Sequence, residues 1–278
     1  MQVRPAPLQC QCKGIYFSNV FTYDAPPEGE IAFEFSSSGT YRREILRCDL
    51  CAHFVSVHKM DAGGLYSEDY VSSTYQDDEG IYRTFQRILS LSPSKSDNIG
   101  RVRRILQFAS TFWPDSRQPG PPSILDVGSG LGVFPYKMKE AGWECTALDP
   151  DIRSVRHTRE FVGVRSIHGD FMSVKDLGRF DAVSFNKVLE HVEDPVAMLA
   201  RSAECLEEKG FIYVEVPDGE AAAEDGSERE EFFIDHLHVF SPASLSLLTA
   251  RAGLFLCSME RLREPSTKFT LRAFLTIP

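Results

Sequence analysis

Short apolar runs alternate with segments whose apolar residues recur every three to four positions through most of the second half of the chain. The runs Ser123–Val127, Glu144–Leu148, Val164–His168, Phe180–Phe185 and Phe211–Val216 read as strands. Helical patterns lie between most of them. Asp194-Pro195 and Ser241-Pro242 each place a side-chain cap before a proline suited to the first helical position, and Gly253 suits the end of the Ser241 helix. Two closing runs, Leu254–Leu262 and Phe269–Ile277, have no helix between them and predict a hairpin. Upstream, Ile99, Val102, Ile105, Leu106, Ala109 and Phe112 recur at helical spacing, which predicts a helix capped by Asp97. It stops at Pro114-Asp-Ser-Arg-Gln-Pro-Gly-Pro-Pro122, where four prolines and a glycine read as a linker. Alternating strand and helix predicts an α/β fold: a doubly wound, mostly parallel seven-stranded sheet with helices on both faces.

Composition narrows the function. The chain has 278 residues, of which 42% are apolar and 25% charged, as in an ordinary globular protein. No apolar run approaches the roughly 20 residues of a membrane span. The start, Met1-Gln-Val-Arg-Pro-Ala-Pro, lacks the apolar core of a signal peptide, so a cytoplasmic location is expected. Thirty basic and forty acidic side chains leave a net charge of −10, which argues against bulk nucleic-acid binding. An odd count of seven cysteines fits a reducing compartment better than a disulfide framework.

The strongest local signal is Ile124-Leu-Asp-Val-Gly-Ser-Gly-Leu-Gly132, an apolar strand running into a glycine turn. Gly128, Gly130 and Gly132 permit unusual backbone angles and close approach of a ligand. The spacing departs from the dinucleotide fingerprint, because Val133 stands where that pattern has its third glycine. Asp126, two residues before the first glycine, would repel a pyrophosphate and attract a cation. Asp149, at the end of the second strand, suits a ribose diol. Asp170-Phe171, after the third strand, offers a carboxylate for an exocyclic amine and a ring for a purine. Two of these acidic residues also have a plainer reading, since Asp149 and Asp170 could be helix caps.

Carboxylates at three successive strand ends resemble the class I S-adenosylmethionine-dependent methyltransferase family. The resemblance runs from about Asp97 to the C-terminus. It includes Phe180-Asp-Ala-Val-Ser-Phe-Asn-Lys-Val-Leu-Glu-His-Val-Glu-Asp-Pro195 after the fourth strand, Leu206–Pro217 as the fifth, and the antiparallel closing hairpin. It implies that Asp126, Gly128 and Gly130 hold the methionine part of S-adenosylmethionine, with Gly132 and Asn186 also in the cofactor site. Asp149 would hold the ribose, and Asp170 and Phe171 the adenine.

Four cysteines lie within the first 51 residues. Cys48 and Cys51 have the two-residue gap that lets both thiolates reach one tetrahedral metal, and Cys10 and Cys12 could supply the other pair. The segment between is strand-like at Ile31–Phe35 and Tyr41–Leu46. This region is similar to the small N-terminal zinc domain of deoxysugar C-methyltransferases, which implies a bound zinc ion. The first pair has one intervening residue where that family has two, which leaves His53 and His58 as substitute ligands. That family carries a further C-terminal domain, whereas the sequence here closes on the hairpin, a second departure from its pattern. Cys145, Cys205 and Cys257 have apolar neighbours and read as core.

Methyl transfer needs an aligned acceptor and, for some acceptors, removal of one proton. His191 and, across an acidic stretch, His236 and His238 are the available bases. The resemblance to deoxysugar enzymes implies an acidic residue followed by a catalytic histidine, which here is Asp235-His236. His236 and His238 alternate and would face opposite sides of an extended segment. His191 has an alternative reading as a structural hydrogen bond in its turn. Glu220–Glu231 reads as a solvated loop or a lid, and Arg101, Arg103 and Arg104 as a solvated helix face or an acceptor-phosphate site. Tyr66, Tyr70 and Tyr75 could form a hinge or wall the acceptor pocket.

The expected organisation is a zinc-binding domain at 1–62, a connecting helical segment and linker at 63–122, and a methyltransferase domain at 123–278. The expected function is methyl transfer from S-adenosylmethionine to a small-molecule or sugar-like acceptor. The alternatives are O-methylation of a phenol or quinone-type acceptor, and a non-catalytic module whose zinc domain binds a partner protein. A homodimer is compatible with either.

Overall fold

The computed structural model describes residues 10–30, 41–60, 78–113 and 120–278. The expected strand at Ile31–Phe35, the residues Tyr66, Tyr70 and Tyr75, and the linker from Pro114 to Pro119 lie outside the described residues.

Seven strands form the larger sheet: β4 (Ser123–Val127), β5 (Glu144–Asp149), β6 (Arg165–His168), β7 (Phe180–Asn186), β8 (Leu206–Pro217), β10 (Phe255–Arg263) and β11 (Phe269–Thr276). Their order is β10-β11-β8-β7-β4-β5-β6. The pairs among β4 to β8 are parallel, and β11 runs antiparallel to both its neighbours. The doubly wound expectation holds, because apolar side chains leave both faces of these strands. On one face, Val102, Ile105 and Ala109 of the Asp97–Phe112 helix pack with Phe134 and Met138 against Ile124, Ala182 and Phe211. On the other, Met198 and Leu199 of the Pro195–Ser202 helix and Leu245 and Leu248 of the Pro242–Arg251 helix pack against Leu125, Val183 and Val214. Asp194 and Ser241 cap their helices as expected. The β4-to-β5 turn is central to this sheet, so its crest is a natural ligand site.

Four sequence expectations change. Cys257, expected in the core with Cys145 and Cys205, is exposed. The hydroxyl of Ser96, not Asp97, caps the first sheet-packing helix by accepting from the Ile99 amide at 3.3 Å. Asp97 instead accepts from the Ser266 amide at 3.0 Å. Arg103 is exposed, as the solvated-face reading expects, but Arg101 and Arg104 are turned to carboxylates of the fold. Arg101 donates to Glu215 at 2.9 Å, and Arg104 pairs with Glu260. Glu220–Glu231 is a loop only in part, although Glu224, Asp225 and Glu228 are exposed as the solvated reading expects. Gly219–Asp225 is a helix capped by Asp218, with Ala222 fully buried. Glu231 is buried as well, accepting from Arg229 at 2.9 Å and from the Phe269 amide at 2.6 Å.

A second sheet is antiparallel: β1 (Phe17–Tyr23), β2 (Arg43–Cys48), β3 (Phe54–His58) and β9 (His238–Val239). Its fourth strand comes from the C-terminal half, with Phe54 paired to Val239 and Val55 to His238. Arg43, fully buried, ties the same two segments together. It pairs with Glu30 at 2.9 Å and donates to the Phe232 carbonyl, while Glu30 accepts from the Ile234 amide at 2.7 Å. Among the described residues, no helix is long and apolar enough to cross a membrane.

Candidate active site

The glycine turn is built by backbone bonds to the next strand. The Gly128 and Ser129 amides donate to the Leu148 carbonyl at 2.8 and 3.2 Å. All three glycines have positive φ, +69°, +48° and +69°. A Cβ at Gly128 would stand 2.8 Å from Val188, and one at Gly132 2.7 Å from Thr158, so both positions need glycine for space as well as for angle. A Cβ at Gly130 would meet nothing, which leaves the crest of the turn open.

Two buried carboxylates flank that crest. Asp126 accepts from Ser184 Oγ at 2.8 Å and from Asn186 Nδ2 at 2.7 Å. Burial pushes its pKa up to about 7 against these hydrogen bonds. Asp149 accepts from the Gly130 amide at 2.7 Å and the Asp151 amide at 2.8 Å, and burial pushes it up to about 6. The helix after Asp149 is capped by Asp151, so the capping alternative for Asp149 falls away. Ser184 and the Asn186–Asp126 bond were not legible in sequence, because they join residues about 60 positions apart.

The adenine pair behaves differently. Phe171 is 2% exposed and packs edge-on to Phe185 at 5.7 Å, so its ring is mostly taken up by the core. Asp170 is exposed and caps its own turn, accepting from the Met172 amide at 3.1 Å and Ser173 Oγ at 2.8 Å. Lys187, at φ +60°, donates from Nζ to Thr270 Oγ1 at 2.9 Å, and burial lowers its pKa.

Past β7 and β8, two of the three candidate histidines converge. The rings of His191 and His236 meet edge to face, 4.9 Å between centroids. His191 Nδ1 donates to the Asp235 carbonyl and His236 Nδ1 to the Glu231 carbonyl, each at 2.8 Å. A carbonyl only accepts, so each ring carries a proton on Nδ1. Asp235 therefore does not orient His236 as the dyad reading expected. Its carboxylate lies 3.8 Å from His191 Nδ1. His238 points away, as the alternation predicts, to His53. Glu190, which the sequence offered only as a neighbour of His191, is fully buried in the same cluster.

Four sulfurs meet in the N-terminal unit. Cys10 lies 3.0 Å from Cys51 and 3.2 Å from Cys12, and Cys12 lies 3.5 Å from Cys48. The four sulfurs all fall within 4.8 Å of one another. Lys13 and Ala52 adopt left-handed angles that turn the chain around them. The Gly14 amide donates to Cys12 at 3.2 Å, and a Cβ there would stand 2.9 Å from that sulfur. The donor set therefore fits a tetrahedral thiophilic ion despite the one-residue gap of the first pair. His53 is no substitute ligand: it is bonded to His238 and Ser244. His58 is outside the cluster.

The larger sheet and its helices have counterparts in known proteins. Ubiquinone biosynthesis O-methyltransferase of Xanthomonas axonopodis pv. citri (strain 306) is 32% identical over 104 residues, 35% of this chain and 44% of that protein. The protein of the same name from Thiobacillus denitrificans (strain ATCC 25259 / T1) is 28% identical over 109 residues, 36% of this chain and 47% of that protein. The chain thus spans less than half the length of these curated relatives. Among solved structures, magnesium protoporphyrin IX methyltransferase from Synechocystis PCC 6803 shares the fold at a TM-score of 0.55 and 15% identity, over 76% of this chain and 98% of that one. The 1,6-didemethyltoxoflavin-N1-methyltransferase of Burkholderia thailandensis does so at 0.54 and 17%, over 90% and 98%. The family described as "Methyltransferase domain" matches residues 95–258, well over half of the chain and the whole stretch from the first sheet-packing helix into β10. With that match on the same glycine turn and strand ends that the fold presents, the chain belongs to the methyltransferase-domain family.

Proposed function

We propose that the chain transfers the methyl group of S-adenosylmethionine to a small-molecule acceptor bound beside His191 and His236. The observation that carries this reading is the pair of buried carboxylates, Asp126 and Asp149, flanking an open glycine crest. A cationic amino acid and a ribose diol are the partners such carboxylates favour. Asp126, with Asn186 and Gly128, Gly130 and Gly132, takes the methionine part; Asp149 takes the ribose; Asp170 takes the adenine amine. S-adenosylmethionine supplies an electrophilic methyl on a positively charged sulfur. The acceptor oxygen forms the new bond to carbon with its own lone pair. The carbon–sulfur bond breaks with its electrons left on sulfur, which becomes a neutral thioether. The acceptor's hydroxyl proton passes to Nε2 of His236, whose Nδ1 is held by the Glu231 carbonyl. Asp235 positions His191 through its carbonyl.

A sugar-like acceptor is supported by the cysteine cluster, in which Cys10, Cys12, Cys48 and Cys51 would hold a structural zinc ion. O-methylation of a phenol or quinone-type ring is supported by the names of the curated relatives. The test is release of S-adenosylhomocysteine with a catechol and with a keto-sugar nucleotide. His236→Ala should lower turnover by about 10²-fold while leaving cofactor affinity nearly unchanged. Cofactor binding without product from either acceptor class would instead favour a non-catalytic module.

A further inference from the structure

The turn that follows β6 is pinned at both ends, and Asp170 lies between the pins. At its start the Gly169 amide donates to the Asp149 carbonyl at 3.0 Å, one residue beyond the paired His168 and Asp149 of the parallel ladder. The chain then folds tightly back on itself. The Ser173 and Val174 amides donate to the Asp170 carbonyl at 2.9 and 3.0 Å, and a Cβ at Gly169 would stand 2.4 Å from Val174. At its far end the turn meets Arg201.

Arg201 stands on the Pro195–Ser202 helix, which is anchored by the fully buried Leu199 and Ser202. One terminal nitrogen of its guanidinium donates to the Met172 carbonyl at 2.6 Å, and the other donates to the Val174 carbonyl. The guanidinium carbon lies 5.3 Å from the centre of the Phe171 ring, within cation–π range. Among the described residues no carboxylate pairs with Arg201, so its fork serves the turn and not an ion pair. A lysine ammonium, a single nitrogen, lacks that rigid fork. Asp170 keeps room for a ligand. Its oxygens accept one bond each, from the Met172 amide and Ser173 Oγ, and a carboxylate offers about four lone-pair positions. Both donors belong to the stretch that Arg201 holds, so a shift of Met172–Val174 moves the carboxylate with it.

We infer that Arg201 is a positioning residue for the adenine base of the cofactor. It holds the Asp170 carboxylate in place beyond Asp149, so that the ribose and the exocyclic amine of one adenosine are met together. The inference rests on the assignment of Asp170 to the adenine amine. It adds a selectivity that Asp126 and Asp149 do not supply. A fixed carboxylate accepts from the amine of adenine and repels the carbonyl that replaces it in hypoxanthine. A carboxylate on a loosened turn moves away from either base, and the distinction fades.

The test compares binding of S-adenosylhomocysteine and S-inosylhomocysteine, which differ at that one group, by calorimetry on the full chain. The unsubstituted protein should prefer the adenine compound by about tenfold or more. Arg201→Met and Arg201→Lys should each cut that preference by about fivefold, with affinity for S-inosylhomocysteine nearly unchanged. Arg103→Met, at an exposed arginine, should alter neither affinity. Hydrogen exchange gives a readout without ligand: the Ser173 and Val174 amides should exchange faster in both Arg201 variants, and those of β6 should not. A lower melting temperature with preference and exchange intact makes Arg201 a packing residue and overturns the inference. Asp170→Ala separates the two readings. If the preference is lost in Asp170→Ala but kept in both Arg201 variants, the role of Arg201 falls and that of Asp170 stands. Equal binding of the two compounds by the unsubstituted protein, or a preference that survives Asp170→Ala, removes the adenine assignment and the role of Arg201 with it.

Discussion

His53 of β3 and His238 of β9 share a hydrogen bond of 2.9 Å between Nε2 and Nδ1, across 185 positions of sequence. It lies where the N-terminal sheet takes its last strand from the methyltransferase half. Ser244 Oγ lies 3.2 Å from the other nitrogen of His53, and Ser241 Oγ donates to the Cys51 carbonyl at 2.5 Å. The cysteine-bearing unit is thus docked through polar groups that water cannot reach.

Removing one partner leaves the other buried and unsatisfied, which costs about 1–3 kcal/mol. His53→Ala should therefore lower the denaturant midpoint of the whole protein. It should also open the segment before Cys51 to limited proteolysis. Unchanged protease resistance would show that the backbone ladder alone holds the two halves together.

The glycine crest gives a pH-dependent prediction. Burial raises Asp126 to about 7 and Asp149 to about 6, and the bound cofactor favours their ionised forms. Affinity for S-adenosylhomocysteine should rise by about tenfold between pH 6 and pH 8, with proton release at the lower pH. In the free protein the sign is opposite. A carboxyl whose folded pKa lies above its unfolded value favours folding at low pH, and that contribution is lost as pH rises through 6 to 7. Asp126→Ala should weaken binding at least tenfold, about 1.4 kcal/mol, and flatten the pH profile. Calorimetry at the two pH values, in the native protein and this variant, checks both statements. NAD should not bind.

The cysteine cluster predicts about one zinc ion per chain after purification without added metal. Cys48→Ser, or exhaustive chelation, should remove it and lower the melting temperature by several degrees. Metal analysis paired with a thermal scan decides. A metal-free protein with an unchanged melting temperature after chelation would leave the four thiols as a reduced cluster.

Arg101 and Glu215 form a buried ion pair beneath the C-terminal end of the sheet, and Tyr213 donates to the same carboxylate at 2.8 Å. Burial works to raise Glu215, but the charge of Arg101 overrides it and holds the carboxyl well below the usual range. The pair's contribution is therefore present above about pH 4.5 and is lost as pH falls below it. Arg101→Met should destabilise by about 3 kcal/mol, because it removes the main counter-charge of buried Glu215 and leaves Arg272, 3.9 Å away, to compensate only in part. Adding Glu215→Gln should recover much of that loss. Urea midpoints of the single and double variants measure the coupling.

The amino-acid sequence determined the sheet and the position of its ligand crest. Strand periodicity, the Asp194 and Ser241 caps and the glycine spacing are local, and local chemistry carries into the fold. Asp126, Asp149 and the four cysteines were legible for the same reason: each stands at a strand end or in a short metal-binding spacing. Tertiary structure decided whatever depends on long-range contact. Phe171 became core, since Phe185 and the sheet offer its ring more burial than a ligand would. Arg101 turned inward because Glu215, 114 positions away, is the charge that compensates its burial. His236 exchanged its expected partner, Asp235, for the Glu231 carbonyl once the acidic stretch folded as a capped helix and turn. His238 could be separated from His236 by alternation alone. Its bond to His53 could not be foreseen, because a two-residue strand completing a distant sheet leaves no periodicity to read.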